Sequence, residues 1–294
     1  MISIIIPVYN EEKAITKTFN NLVELSGQIN DLELIFVNDG STDNSFDIIK
    51  SFSYPHLKII NHPENLGYGK SIQDGIFMAK YDCIGIIDAD NSYPIDKIPD
   101  LFKFYPEYDM IVGARTGMEY KKGLIKGPAR FLFNYLVQYA TGRKVPDVNS
   151  GLRLFKKSLV LKYKDSLCPG FSFTSTLTLI FYLNYYFVKY INIDYYKRDG
   201  KSKVNHIVDT LRSGQIIIQS ILYHNPIKLF LLIANINLII GLILLFINYC
   251  MISSFLLLIL SSLLISMYFP IFCIGLLADQ MKVFTNLIRK NSNN

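Results

Sequence analysis

Between Lys228 and Lys282 the chain carries a single charge, Asp279, and inside that stretch Leu229–Tyr249 and Ile252–Ala278 form uncharged runs of 21 and 27 residues. A helix needs roughly 20 apolar residues to cross the hydrocarbon of a bilayer, so each run is long enough to span one. Asn235, Asn237 and Pro270 interrupt the apolar pattern, as membrane helices tolerate where they pack against neighbours. A helical hairpin buried in a globular core is the plain alternative. The link between the runs is too short to hold a domain, so the pair reads as a membrane hairpin with both ends on one side. Lys228 ahead of it and Lys282, Arg289 and Lys290 behind it place that side in the cytoplasm by the positive-inside rule. Composition agrees: 50% of residues are hydrophobic and 18% charged, too apolar for an ordinary soluble protein. Residues 227–294 hold those four cations against Asp279, a net of +3, which leaves +3 of the total +6 for residues 1–226. Neither part has the basicity of a nucleic-acid binder, so no nucleic-acid partner is expected. Self-association stays open, with a homo-oligomer as a candidate assembly.

Cys83, Cys168, Cys250 and Cys273 stand far apart with no Cys-x-x-Cys spacing, which suits reduced packing residues. His56, His62, His206 and His224 form no metal-ligand pattern. The chain opens directly on a strand-like run, so no cleavable signal peptide is expected and the polar part stays in the cytoplasm. Ile2–Pro7, Leu32–Val37, Leu57–Ile60 and Cys83–Ile87 are short apolar runs bounded by turn residues, the pattern of buried parallel strands. Helix-compatible stretches near 11–26, 43–51 and 68–80 alternate with them. That alternation predicts a parallel, doubly wound α/β sheet with ligands at the carboxyl ends of its strands. Asp109–Gly113 reads as a further strand and Phe131–Tyr139 as a helix. Val204, Ile207, Val208, Leu211, Ile218, Ile221 and Leu222 recur at helical spacing, which predicts an amphipathic helix in the membrane interface or, failing that, a core-facing one.

The strand ends carry the chemistry. Ile6-Pro7-Val8-Tyr9-Asn10-Glu11-Glu12 taken alone is a strand followed by a helix cap. Phe36-Val37-Asn38-Asp39-Gly40-Ser41-Thr42-Asp43 closes the second strand, and the Asp39 carboxylate suits charge-assisted hydrogen bonds from a base or ribose. Asn65-Leu66-Gly67-Tyr68-Gly69-Lys70-Ser71 places two glycines, which allow close backbone approach, at a helix N-terminus that favours anions. Lys70 could otherwise be a plain solvated charge. Asp88-Ala89-Asp90 sets two carboxylates two apart at a strand end, where they can share a divalent cation. A hard, oxygen-ligated ion such as Mg2+ or Mn2+ stabilises a departing diphosphate. Residues 115–144 then hold Arg115, Lys121, Lys122, Lys126, Arg130, Arg143 and Lys144 against Glu119, a positive rim of which Lys121 and Lys122 are read as solvated.

In this order the segments resemble the family 2 glycosyltransferases, whose strands end in closely similar "PxYNEE" and "VNDGSTD" sequences. With the apolar tail they resemble the membrane-anchored dolichyl-phosphate mannose synthase, or polyprenyl-phosphate glycosyltransferase, type. The resemblance covers residues 1–225 in motif order and implies a GT-A fold, a UDP- or GDP-linked nucleotide-sugar donor and a polyprenyl phosphate acceptor such as dolichyl phosphate. It implies nucleotide binding by Pro7, Tyr9, Glu11, Asp39, Lys70 and Asp88, and a metal held by Asp88 and Asp90, with Asp90 catalytic. Ser92 stands where some relatives carry an amide, which leaves a third ligand position to water. Arg115 and Arg130 match positions that relatives use for acceptor phosphate, a task that suits the planar arginine fork. Asp147-Val148-Asn149-Ser150-Gly151-Leu152-Arg153-Leu154-Phe155 resembles the family's segment beside the reaction centre. Tyr196–Lys203 matches its "R-x-G-x-S-K" motif, so that Arg198, Ser202 and Lys203 close over the phosphates. Gly170–Thr176 lacks a glutamate that many relatives carry there.

A hydroxyl acceptor would need a carboxylate base, for which Asp147 is the candidate, whereas a phosphate with a second pKa near ~6 is already largely ionised. The cations and the anchor favour phosphate, with Asp147 then orienting the acceptor or the metal, and the resemblance implies metal dependence and inversion by direct displacement. The alternatives are extension of a lipid-linked glycan at a hydroxyl, and a non-catalytic membrane subunit. A nucleotidyltransferase would need a glycine- and lysine-rich segment that does not follow the first strand. The expected organisation is a catalytic domain over 1–203, an amphipathic helix over 204–226, a transmembrane hairpin over 227–280 and a cytoplasmic tail over 281–294.

Overall fold

The computed structural model describes residues 1–117, 141–164, 172–198 and 225–292, with single positions within 135–139, 167–170 and 214–222. Two compact units divide it, Met1–Ile216 and Ile217–Asn294. The first is built on strands β1 (Ile2–Val8), β2 (Leu32–Asp39), β3 (Leu57–His62), β4 (Cys83–Ile86), β5 (Met110–Thr116), β6 (Arg153–Lys156) and β7 (Val188–Asp194). They form one sheet in the order β3-β2-β1-β4-β6-β5-β7. From β3 to β4 every pairing is parallel. The expected all-parallel sheet becomes mixed beyond that point, because β6 runs antiparallel to both β4 and β5. Arg-Leu-Phe-Lys is too short a strand to announce its direction.

Chain order explains where a ligand can sit. The chain runs outward from β1 to β2 and β3, then returns to place β4 on the other side of β1. Connections leave β1 in opposite directions, and the crevice between their carboxyl ends is where such sheets bind ligands. β1 and β2 are buried along nearly their whole lengths because both sheet faces are covered. Ile4, Ile6, Leu34 and Phe36 enter one core layer, together with Ile15, Phe19, Leu22 and Leu25 of helix α1 (Ile15–Leu25). Ile5, Ile35 and Val37 enter the other, against Ile72 and Ile76 of helix α3 (Tyr68–Met78). Each such fully buried side chain contributes about 1.5–3 kcal/mol. Helix α2 (Ser45–Lys50) follows β2, and helices α4 (Ile98–Phe102) and α5 (Lys157–Leu161) follow the later turns. Helix α6 (Phe173–Leu183) is buried from Phe173 to Tyr182 and has no charged residue.

The second unit holds helix α7 (Pro226–Ile247), a π-turn over Asn248–Ile252, and helices α8 (Phe255–Ser266) and α9 (Tyr268–Ser292). α7 packs along α8 and α9. Ser253 takes a left-handed conformation at φ 47°, and Asn248 Oδ1 accepts the Ser254 N–H at 2.8 Å to close the hairpin turn. The second apolar run is thus two helices that meet at Met267, with Pro270 in the first turn of α9, where its missing N–H leaves no orphaned acceptor within the helix. Pro226–Met251 and Phe255–Phe284 are both long and apolar enough to cross a membrane. The stretch expected as a tail continues α9 to Ser292. Most of the 131–139 and 204–222 helices expected from sequence lies outside the described residues.

Candidate active site

The first two motifs are stapled to each other. Asn10, left-handed at φ 54°, accepts the Thr42 N–H on its Oδ1 at 2.7 Å, and its own N–H donates to Ser41 Oγ at 3.0 Å. Glu11 N–H donates to Ser45 Oγ at 2.7 Å, and Glu12 N–H to Asp43 Oδ2 at 3.2 Å. These bonds satisfy backbone groups just past the ends of β1 and β2 and tie the two segments together. Pro7 pairs with Val37 across the two strands. Tyr9 follows, partly buried, and the Glu11 side chain lies within 3.5 Å of Arg198. Gly40 adopts φ +65°, and a Cβ there would stand 2.4 Å from the Glu64 backbone, so only glycine fits the turn.

Asp39 is 3% exposed, and both of its carboxylate oxygens are bonded within the protein. Its Oδ1 accepts the Leu66 N–H and its Oδ2 the Gly67 N–H, each at 2.9 Å. His62 Nδ1 lies 2.8 Å from Oδ1. The carboxylate expected to meet a nucleotide thus also anchors the turn that opens α3. Lys70 pairs one helical turn on with Asp74, at 2.6 Å.

Asp88 and Asp90 follow β4 at the switch point. Tyr68 Oη donates to Asp88 Oδ1 at 3.0 Å. Burial, and then the adjacent Asp88, push the Tyr68 hydroxyl well above its ordinary value, so it stays a donor. Burial, and next the Asp90 carboxylate, hold Asp88 above the usual carboxylate range. Gly151 faces this carboxylate, and a Cβ there would come within 2.6 Å of Asp88 Oδ2. Asp90 is 3% exposed; its Oδ1 is held by Ser92 and its Oδ2 lies 2.9 Å from Arg198 Nη2. Two crowded carboxylates, one with a raised pKa and one drawing in a cation, form a donor set that fits a hard divalent ion. Among the described residues no third histidine, cysteine, aspartate or glutamate joins them as a ligand cluster.

Across the crevice Arg115 closes a two-point fork on Asp147, with Nε to Oδ2 at 2.8 Å and Nη2 to Oδ1 at 2.9 Å. Asn149 N–H adds a bond to Oδ1 at 3.2 Å. The guanidinium also sits over the Tyr195 ring, 5.4 Å from its centroid. Arg153, fully buried, donates to the carbonyls of Val148, Ser150 and Thr174 and to Thr178 Oγ1 at 2.6–3.2 Å. Burial draws its pKa down from the usual value, but an arginine starts high enough to stay charged. Its charge goes into shaping the Val148–Gly151 segment that backs Asp88. Arg130, Ser202 and Lys203 lie outside the described residues. The crevice thus gathers Glu11, Asp88, Asp90 and Arg198, and sets Arg115 with Asp147. Tyr68, His62 and Gly151 are structural partners that motif reading passed over, although Tyr68 and Gly151 stand inside quoted motifs.

Comparison with solved structures places this arrangement in the GT-A class. Glucosyl-3-phosphoglycerate synthase from Mycobacterium tuberculosis, solved with Mn2+, uridine diphosphate and glucosyl-3-phosphoglycerate, superposes with a TM-score of 0.58. The match covers 75% of this chain and 79% of that one at 18% identity, a likeness of fold. The same synthase has also been solved with Mg2+ and uridine diphosphate. The sequence model of glycosyl transferase family 2 matches residues 3–164, more than half of the chain, and the protein belongs to that family. An uncharacterised glycosyltransferase of Bacillus subtilis is 33% identical over 179 residues, 57% of this chain and 54% of that protein. A dolichyl-phosphate beta-glucosyltransferase of Trichomonas vaginalis is 30% identical over 171 residues, covering 52% and 51%. An undecaprenyl-phosphate 4-deoxy-4-formamido-L-arabinose transferase of Photorhabdus laumondii is 31% identical over 163, covering 54% and 50%. The chain thus spans about half the length of these relatives.

Proposed function

We propose that the protein is a membrane-bound, inverting glycosyltransferase that moves a sugar from a UDP- or GDP-linked donor to a polyprenyl phosphate. The observation that carries the acceptor class is the Arg115 fork on Asp147. A hydroxyl acceptor needs a base to take its proton, and the candidate carboxylate already has both oxygens bound to a guanidinium. A phosphate acceptor needs no base, because it is already largely ionised near neutral pH. The names of the Trichomonas and Photorhabdus relatives, a dolichyl-phosphate and an undecaprenyl-phosphate transferase, support the same acceptor class.

The donor diphosphate belongs at the carboxyl ends of β1, β2 and β4, with Pro7, Tyr9, Glu11, Asp39 and Lys70 on the nucleotide side. Asp88 and Asp90 would hold Mg2+ or Mn2+, which supplies compensation for the charge that grows on the departing diphosphate. Arg198, already drawn to Asp90, lies where donor phosphate oxygens would meet it, with Ser202 and Lys203 next in its motif. Arg130 completes the proposed acceptor-phosphate contacts. Only 11% and 6% of an 18-residue apolar window in each stretch is buried, unlike the core helix α6, and lipid would cover the remainder. We place the catalytic domain, over residues 1–203, and both termini on the cytoplasmic side, with the 204–226 segment at the interface.

The test is incubation of the full chain in detergent with a panel of UDP- and GDP-sugars and a polyprenyl phosphate. The expected product is a polyprenyl-phosphate sugar, lost in chelator and restored by Mg2+ or Mn2+. Asp90→Asn should lose several kcal/mol of leaving-group stabilisation, on the order of 10³-fold in rate. Full activity in excess chelator would remove the metal from the scheme. Transfer only to a hydroxyl-bearing glycolipid would instead make Asp147 a base that must first leave Arg115.

A further inference from the structure

The register of the sheet sets Asp39, the last residue of β2, directly beside His62, the last residue of β3. Both are buried, at 3% and 7% exposure, so neither is hydrated in exchange for a lost partner. His62 Nδ1 approaches Asp39 Oδ1 to 2.8 Å, a full hydrogen bond. On the other side of the ring, Nε2 is 3.2 Å from Asp74 Oδ2, near enough for ion pairing but without the alignment of a hydrogen bond. Asp74 belongs to α3 and is held by Lys70.

Asp39 in turn receives the backbone N–H groups of Leu66 and Gly67, and its own carbonyl accepts Asn65 Nδ2 at 3.3 Å. One buried carboxylate therefore ties down the Asn65–Gly67 turn, and the ring beside it fixes that carboxylate's rotation. The next residue is Tyr68, whose hydroxyl reaches Asp88. A buried carboxylate that loses a donor keeps its desolvation cost and seeks another partner. The partners at hand are the turn it holds and whatever enters the crevice.

We propose that His62 is a positioning residue for the nucleotide-sugar donor: its bond to Asp39 fixes the carboxylate that orders the Asn65–Gly67 turn. The inference rests on the crevice being a donor site, as proposed above. His62 reaches no reacting atom in this scheme. Its loss should therefore raise donor KM and nucleotide Kd and leave kcat and the acceptor KM nearly unchanged.

The side-chain chemistry offers a paired test in the full chain. An asparagine amide nitrogen falls near the place of Nδ1, and a glutamine amide nitrogen near that of Nε2. His62→Asn should keep the bond to Asp39, and His62→Gln should lose it. Uridine and guanosine diphosphate binding is measured by calorimetry, and amide hydrogen exchange over Asn65–Gly69 is measured without nucleotide. We expect His62→Gln to bind the preferred nucleotide about tenfold more weakly, the loss typical of one buried hydrogen bond, and to exchange faster over the turn. His62→Asn should stay near the wild type in both. Unchanged exchange in His62→Gln, or equal losses in both variants, would overturn the role. A wild type that binds neither nucleotide would instead overturn the donor site, since the exchange arm reports on the turn by itself. Should both ring variants fail to fold, Asp74→Asn on the partly exposed face of α3 decides. Faster exchange over the turn would support the role of His62, and unchanged exchange would end it.

Discussion

A methyl group at position 151 would stand 2.6 Å from Asp88 Oδ2 and 2.9 Å from its Cγ, closer than non-bonded atoms sit. Relief is blocked on two sides, because Gly151 N–H donates to Tyr93 Oη at 2.7 Å and Asp88 Oδ1 is held by Tyr68. We expect Gly151→Ala to cost about 1–3 kcal/mol of stability, as overpacking does, and to displace the carboxylate. Thermal melting checks the first effect. Manganese binding by electron paramagnetic resonance, without donor or acceptor, checks the second; an unchanged manganese affinity would separate Asp88 from the metal. Asp39, Asp88 and Asp90 were legible at this scale because each ends a recognisable strand. Their bonds to His62, Tyr68 and Arg198 were not, since a side chain's partner depends on which strands lie side by side.

At the scale of elements, β2 carries a buried acid at its opposite end. Glu33 is 3% exposed and lies 2.8 Å from Lys58 Nζ on β3 and 2.8 Å from the Lys80 N–H, with Ser3 of β1 as a further donor. Burial works to raise its pKa, but the Lys58, Lys80 and Ser3 bonds outweigh it and hold the carboxyl below its ordinary 4.5. A depressed folded-state pKa means that this stabilisation is complete above the unfolded value and is lost as pH falls through the folded one. Melting recorded from neutral pH down to about pH 3 should therefore show a decline beginning near the ordinary glutamate range. In Glu33→Gln the melting temperature should be lower at neutral pH and its decline in acid shallower; an identical acid limb would refute the clamp. Helix α6 is an element that local sequence does not mark. Phe-Thr-Ser-Thr-Leu-Thr-Leu-Ile is rich in strand-favouring residues, and its only polar side chains are short hydroxyls, of which Ser175 and Thr178 turn inward to Asn149 and Arg153, so no charged face marks it as an amphipathic helix. Tertiary burial made it helical.

For the whole molecule, the two-unit division falls at Ile216 and Ile217, just ahead of the apolar helices. A chain ending at Asn225 should appear in the supernatant after carbonate extraction, and the full chain in the pellet. Retention of the shortened protein in the pellet would show that residues before 226 provide an integral anchor of their own. Loss of the anchor should also separate the activities. Nucleotide binding, whose proposed residues all fall within the first unit, should survive, and transfer to a long-chain polyprenyl phosphate should fall.

The amino-acid sequence by itself determined the parts governed by local chemistry and periodicity: apolar runs of membrane-spanning length, the early alternation of strand and helix, and the carboxylates at the strand ends. Each depends on neighbours a few residues away, so each is visible in one dimension. The tertiary structure alone decided the pairings. Arg115 meets Asp147 across 32 residues and His62 meets Asp39 across 23, distances set by strand order and register. It also turned β6 against its neighbours, which made the sheet mixed and brought Gly151 against Asp88. Which cation meets which carboxylate is a property of the folded sheet, because a buried charge takes the partner that packing places beside it.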